Sequence, residues 1–253
     1  MWQALVRWFH RWTSPKIFYQ ISRPWIFWSS VAAIAILAVA LTWGLVFAPV
    51  ERLQGNSYRI IFIHVPSAFL SQAIYLAIAI MGLVGLVWRI KLAFYAAKQC
   101  IPIGASMALL ALVTGAIWGK PTWGTWWVWD ARLTSMLVLL FLYLGLWALH
   151  NAMERQETGD RAAAILALVG VVNLPIIKFS VVWWNTLHQP ATLKLTQAPP
   201  MHISMLIPFL MAIVGFYLAA LAWGLSRTRL EILQREPNAR WVREELDQLG
   251  SAR

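Results

Sequence analysis

The sequence predicts an all-α, polytopic integral membrane protein with six transmembrane helices, both termini cytoplasmic, and a Trp-rich segment in the second outer loop. Three observations carry that prediction. The chain is 60% hydrophobic and only 12% charged, and the charges fall in short clusters. Between the clusters lie six long uncharged stretches: Pro24–Val50, Ile60–Trp88, Gln99–Gly119, Leu133–Met153, Ala162–Ile177 and Leu195–Ser226. A hydrocarbon core of about 30 Å needs roughly 20 residues at about 1.5 Å rise each. Five stretches reach that length unaided, and the fifth in order reaches it by carrying Lys178 along to about Trp184. The third observation is the asymmetry of the basic residues. With cytoplasmic termini, fifteen Lys and Arg lie inside and only Arg52, Arg59, Lys120, Arg132 and Lys194 lie outside, the sense of the positive-inside rule.

The elements follow in order. Residues 1–24 read as a cytoplasmic interfacial segment, because Trp2, Val6, Phe9 and Trp12 recur at helical spacing among Arg7 and Arg11. The first apolar run is too long for a signal-peptide core and starts too late, so it is expected to stay as an anchor. Residues 25–226 form the six-helix membrane domain. His64 lies at the outer start of the second span, and Cys100 lies near the inner end of the third, where it is expected to be packed. Asp130 immediately precedes the apolar run of the fourth span and is placed to be its N-cap. His188 follows the outer end of the fifth span, and His202 opens the sixth. Residues 227–253 read as a charged cytoplasmic tail, with Glu231–Leu249 as a small solvated helix whose charges are surface charges.

Several function classes are disfavoured. The net charge of +11 is mostly the topology signal and contact with anionic membrane lipids, so no nucleic-acid surface is expected. One cysteine allows neither a disulfide nor a thiolate cluster nor a Cys-x-x-Cys-His haem attachment. Gly119-Lys120 is followed by Pro121, so it is no phosphate-binding loop, and ATP hydrolysis is not expected of this subunit.

Five of the seventeen tryptophans crowd between Trp118 and Trp129, where even spacing would put about one. Beside two glycines, a proline and a carboxylate, such a patch reads as a shaped surface for something flat and apolar. His64, His188 and this segment approach the same membrane surface from separate parts of the chain. Neutral imidazole is a common iron ligand, and two of them bind haem iron from opposite sides. Trp118, Trp123, Trp126 and Trp129 would then form the shelf, His64 and His188 the donors, and Arg59 and Arg132 the cations for the propionates. Plainer readings exist for each part. The tryptophans could be an interfacial belt or one face of a surface helix, and the arginines could touch headgroups. Lys178, about two turns inside its span, could snorkel outward or serve a carboxylate or polar network.

The run Trp123-Gly124-Thr125-Trp126-Trp127-Val128-Trp129-Asp130 resembles the Trp-Gly-x-x-Trp-x-Trp-Asp signature of the haem-handling membrane proteins of cytochrome c biogenesis. Chain length, six spans and one histidine in each outer loop flanking the motif make the chain similar to the CcmC family of haem exporters. The larger cytochrome c synthetase subunits carry the same motif with more spans and a further histidine pair. The resemblance implies non-covalent haem b held at the periplasmic surface of the bacterial inner membrane. Its axial ligands would be His64 and His188, with Trp123, Gly124, Trp126, Trp129 and Asp130 as the signature; Trp118, Arg59 and Arg132 are added from position. It also implies delivery of haem to the chaperone CcmE, with the small membrane protein CcmD and the ABC-transporter subunits CcmA and CcmB as partners. Such a protein presents haem and is not an enzyme. The alternatives are a haem transporter across the bilayer and a non-haem scaffold subunit of an ABC-type complex.

Overall fold

The structure is a computed structural model that describes residues 13–184, 186–188 and 201–251, with side chains to Gln248. The expected headgroup helix at Trp2–Trp12, and Lys194, lie outside the described residues. Every regular element among the described residues is helical: α1 Pro15–Thr42, α2 Ile61–Trp88, α3 Lys91–Trp123, α4 Ala131–Ala152, α5 Gln156–Gly170, α6 Asn173–Trp183, α7 Ile203–Arg235 and α8 Arg240–Ser251. Six of the segments they build are long and apolar enough to cross a membrane, as the sequence predicts.

The third and fifth spans run past their uncharged stretches at both ends, and the first, second and fourth start before theirs. The sixth starts only at Ile203 but runs on to Arg235. The first begins at Pro15, passes through Pro24 and finishes in a π-helical turn at Trp43–Phe47. A short 3-10 turn at Asn56–Ile60 leads into α2, so the second span covers Asn56–Trp88. The fifth span is two helices. α5 stops at Gly170 and α6 restarts at Asn173, two residues before Pro175, whose ring and missing N–H disfavour an unbroken helix. Asn173 fastens the restarted helix to α4 by donating its side-chain amide to the Ser135 carbonyl at 2.9 Å. Of the candidate elements, the N-cap at Asp130 is found as expected: its Oδ1 accepts from the Leu133 N–H at 2.7 Å.

The core sits between α2, α3, α4 and α5, around Tyr75, Leu139, Tyr143, Leu146 and Ala167. With lipid outside, apolar side chains have no solvent reason to hide, so close backbone approach and buried hydrogen bonds hold the helices together. Tyr143 shows both. A Cβ on Gly104 would fall 2.2 Å from its ring, and its hydroxyl donates to the Ser71 carbonyl at 2.6 Å. α7 lies along α1 on the other flank and also packs on α2 and α3.

Short turns join α2 to α3 and α4 to α5, and the end of α7 reaches both. A charged cluster is buried at this terminal face. Arg235 donates to Asp160 through both Nη atoms, at 2.6 and 3.0 Å, and to Glu231 through Nε at 2.5 Å. Lys98 and Gln99 on α3 donate to the two oxygens of Glu231, at 2.7 and 2.5 Å, while His150 approaches Asp160 at 3.3 Å. Glu231, expected as solvated surface charge, is only 2% exposed. The reason is that α7 does not end with the apolar run but continues to Arg235, between α3 and α5. Three cationic or amide donors and the His150 ring around two carboxylates leave few polar atoms unmet, the condition under which buried charge is tolerated.

Because breaking one partner of such a cluster strands the others, Arg235→Leu should cost about 3 kcal/mol or more of stability. Thermal unfolding in detergent should show that loss. Arg240→Ala, which removes an exposed pair with Glu244, should leave the midpoint where it is.

Candidate functional site

At the opposite face, His64 stands one turn into α2 and is buried, at 8% exposure. Its Nδ1 lies 3.1 Å from Thr114 Oγ1 on α3. Thr114 spends its own proton on the helix, donating to the Leu110 carbonyl at 2.6 Å. The hydroxyl therefore accepts from His64 Nδ1–H, and the lone pair of the neutral ring is left on Nε2. Gly115, the next residue, makes room for the ring, since a Cβ there would come within 3.0 Å of His64 Cε1. Trp118 closes another side, edge-on to His64 with ring centres 5.6 Å apart. Its indole N–H donates to Gln54 Oε1 at 2.6 Å and Tyr58 packs against it, so the ring is fixed from two sides.

His188 arrives from the far end of the chain, on the segment after α6, and is braced by α4. Asp130, besides capping α4, accepts a hydrogen bond from the Thr186 hydroxyl, and Thr186 Oγ1 in turn accepts from the His188 N–H at 3.1 Å. Arg132 reaches His188 Nδ1 at 3.3 Å, Ser180 Oγ at 3.3 Å and the Ile177 carbonyl at 3.5 Å. A guanidinium only donates, so His188 Nδ1 is the acceptor in this arrangement. Trp123 packs on His188 at 5.6 Å between ring centres. The outcome is that the two imidazoles face each other with centres 6.3 Å apart and planes within 27°.

A cavity of about 350 Å³ opens beside the pair, within the range of small-molecule sites. Its walls are largely apolar, from Val65, Ala68 and Phe69 on α2 to Leu133 and Met136 on α4, with Arg132 and Lys178 also on the lining. On α3 the lining runs from Trp123 down to Ala111, twelve residues or about 18 Å of helix, so the cavity reaches well into the bilayer.

The candidate residues are therefore divided. His64, His188, Trp118, Trp123 and Arg132 meet at this cavity. Gly124 takes a left-handed conformation, φ 79°, that ends α3 after Trp123. That turn ends the helical spacing of Trp123, Trp126 and Trp127, and the chain to Asp130 is not helical. Trp126 and Trp129 lie outside the cavity lining, exposed at 56% and 75%. Trp127 packs edge-on against Trp129. Asp130 acts on the site through Thr186. Arg59 is directed elsewhere: its two Nη atoms donate to the Leu45 and Ala48 carbonyls at 2.9 and 2.7 Å, capping the π turn at the end of the first span. His202 likewise caps its own helix, accepting from the Ser204 N–H at 3.3 Å. Thr114, Gly115 and Thr186 are members of the site that sequence reasoning missed. Thr114-Gly115, one turn before Trp118, is the only hint the chain offers, and nothing in it points to a histidine fifty residues away.

Among the described residues no group of three or more His, Cys, Asp and Glu gathers as a metal site. The constellation supplies two nitrogen donors, an apolar slot and two cations. Two donors are too few for a closed structural zinc site, which takes four.

Comparison with known proteins agrees with the architecture. The family model for CcmC, heme exporter protein C, matches residues 8–243. Heme exporter protein C of Escherichia coli is 48% identical over 244 residues, 96% of this chain and 97% of the relative. The Haemophilus influenzae protein of the same name is 46% identical over 237 residues, 94% and 96% of the two chains. That of Bradyrhizobium diazoefficiens is 46% identical over 222 residues, 88% and 84%. With the match running almost end to end, the chain belongs to the heme exporter protein C family.

Proposed function

We propose that this chain binds haem b non-covalently between His64 and His188 at the periplasmic side of the inner membrane, and hands it to the chaperone CcmE. Haem handling in cytochrome c maturation goes with the family; the observation that supports the finer reading is the imidazole pair. Two histidines on opposite sides of one iron, each nitrogen about 2 Å from the metal, have ring centres roughly 6 Å apart. The measured separation is 6.3 Å, and the planes are nearly parallel. Haem iron takes one or two ligands from protein and the rest from the porphyrin, which is the donor count found here. The apolar slot, the indoles of Trp118 and Trp123, and Arg132 fit the ring and a carboxylate.

The chain's own residues prepare this site unequally. Thr114 holds His64 with Nε2 ready to donate. His188 is held by Arg132 with Nδ1 engaged, so a neutral ring keeps its proton on Nε2 until that contact gives way. A carboxylate arriving at Arg132 offers the guanidinium a stronger partner than imidazole and frees His188 to present Nε2. Capture of the carboxylate and readiness of the second ligand are thereby linked. No acid, base or nucleophile of the chain is required, so the function is presentation of haem rather than turnover. CcmD and the pair CcmA and CcmB are the partners in that reading, with the exposed Trp126 and Trp129 edging the site on the chaperone's side.

Purified wild-type protein with haem should give a six-coordinate, low-spin spectrum. His64→Ala and His188→Ala should each abolish it and weaken binding by an order of magnitude or more; an unchanged low-spin spectrum in the double variant would contradict the ligand assignment. Arg132→Ala should lower haem transfer to the chaperone several-fold. Trp147→Ala, at a site 61% exposed on the lipid-facing side of α4, should not, as judged by covalent chaperone-bound haem on a denaturing gel. Equal losses would mean that both changes act through folding.

A further inference from the structure

Lys178 sits five residues before the end of α6, about 7 to 8 Å below the loop face. A lysine ammonium at that depth is costly unless it serves a ligand or escapes to the headgroups. In the structure it lines the cavity beside the imidazole pair. It is exposed there and, among the described residues, makes no hydrogen bond or ion pair. Arg132 converges on the same stretch of helix, donating to the Ile177 carbonyl, one residue away, and to Ser180. Among the described residues no Asp or Glu lines the cavity; Asp130 bonds the Leu133 N–H and Thr186 and also attracts the Arg132 guanidinium, which leaves Lys178 as the lining cation with no acid beside it.

Two cations, Lys178 and the already engaged Arg132, therefore line one mostly apolar slot. The slot reaches the lipid-facing surface, since Phe69 and Tyr217 on its lining are 36% and 39% exposed. Among the described residues the fifth and sixth spans share no substantial packing seam. Such a site suits a flat, apolar molecule with two carboxylates on one side. An apolar ligand would gain nothing from the cations, and a zwitterionic lipid would leave them half-matched.

We propose that Lys178 is a ligand-positioning residue, pairing with one carboxylate of the porphyrin while Arg132 takes the other, so that the macrocycle stands edge-down in the membrane rather than lying on its surface. This rests on the haem reading given above. An ammonium that had merely snorkelled to the headgroups would not discriminate between a charged and an uncharged porphyrin.

The test uses the full chain in lipid nanodiscs, titrated with iron protoporphyrin IX and separately with its dimethyl ester, which keeps the ring and iron but lacks the charges. Lys178→Met, which suits an apolar span, should weaken binding of the diacid about fivefold to tenfold and leave the ester unchanged. Lys178→Arg should restore diacid binding, and Lys178→Glu should weaken it further. Unaltered diacid binding in Lys178→Met, or equal losses for diacid and ester that Lys178→Arg does not rescue, would overturn the assignment. If wild type binds both forms with a low-spin spectrum while the Met variant behaves identically, only the role of Lys178 falls. If wild type gives no low-spin spectrum with either porphyrin, the haem reading fails and the role of Lys178 with it.

Discussion

The approach of two imidazoles from remote parts of the chain is the constraint on which the rest depends. His64 and His188 are 124 positions apart, and each is held by a different kind of support. His64 stands on a continuous helix and needs only a neighbouring hydroxyl and a missing Cβ, given by Thr114 and Gly115. His188 follows a short half-helix and has no regular element of its own. Its placement depends on Asp130, Thr186 and Arg132, which fasten the segment to the start of α4. Asp130 is thus one carboxylate with two duties, starting a helix and locating His188. Replacing it would strike both at once.

The two faces of the bundle use polar groups in opposite ways. At the terminal face, Asp160, Glu231, Arg235, Lys98 and Gln99 satisfy one another in a closed cluster, which ties α3, α5 and α7 together. At the loop face, Arg132 and Lys178 border a cavity with no acid among the described residues of its lining. A mutually paired cluster fixes a structure, whereas Lys178, which makes no hydrogen bond or ion pair among the described residues, is suited to receive an anion. The rigid end and the receptive end lie at opposite ends of the same helices.

Much of the fold could be read from the chain because a bilayer imposes a simple rule, long apolar runs separated by charge. The six spans and the Asp130 cap follow from it. The break between α5 and α6 is less legible, because a Pro in the first turn of a second helical half-span looks like any tolerated membrane proline. Glu231 was misread because the end of an apolar run is not the end of a helix, and buried ion clusters have no local signature. Within the site, clustering of tryptophans and the placement of histidines point to the surface where His64, His188, Trp118 and Trp123 meet at one cavity. Sequence could not say which tryptophans turn inward. That depends on Gly124, whose left-handed turn ends α3 and separates Trp118 and Trp123 from Trp126 and Trp129. Arg59 and Arg132 looked equivalent as outer arginines, and only the carbonyls left open by the π turn distinguish them.

The central claim is that both imidazoles are bonded to a single iron at once. Pulsed electron paramagnetic resonance of the ferric haem-loaded chain, with nitrogen-15 introduced only at histidine, reads that directly. The account predicts hyperfine couplings from two histidine nitrogens in addition to the unlabelled porphyrin nitrogens, with one lost in either single alanine variant. A wild-type spectrum with coupling to one labelled nitrogen, or to none, would contradict it.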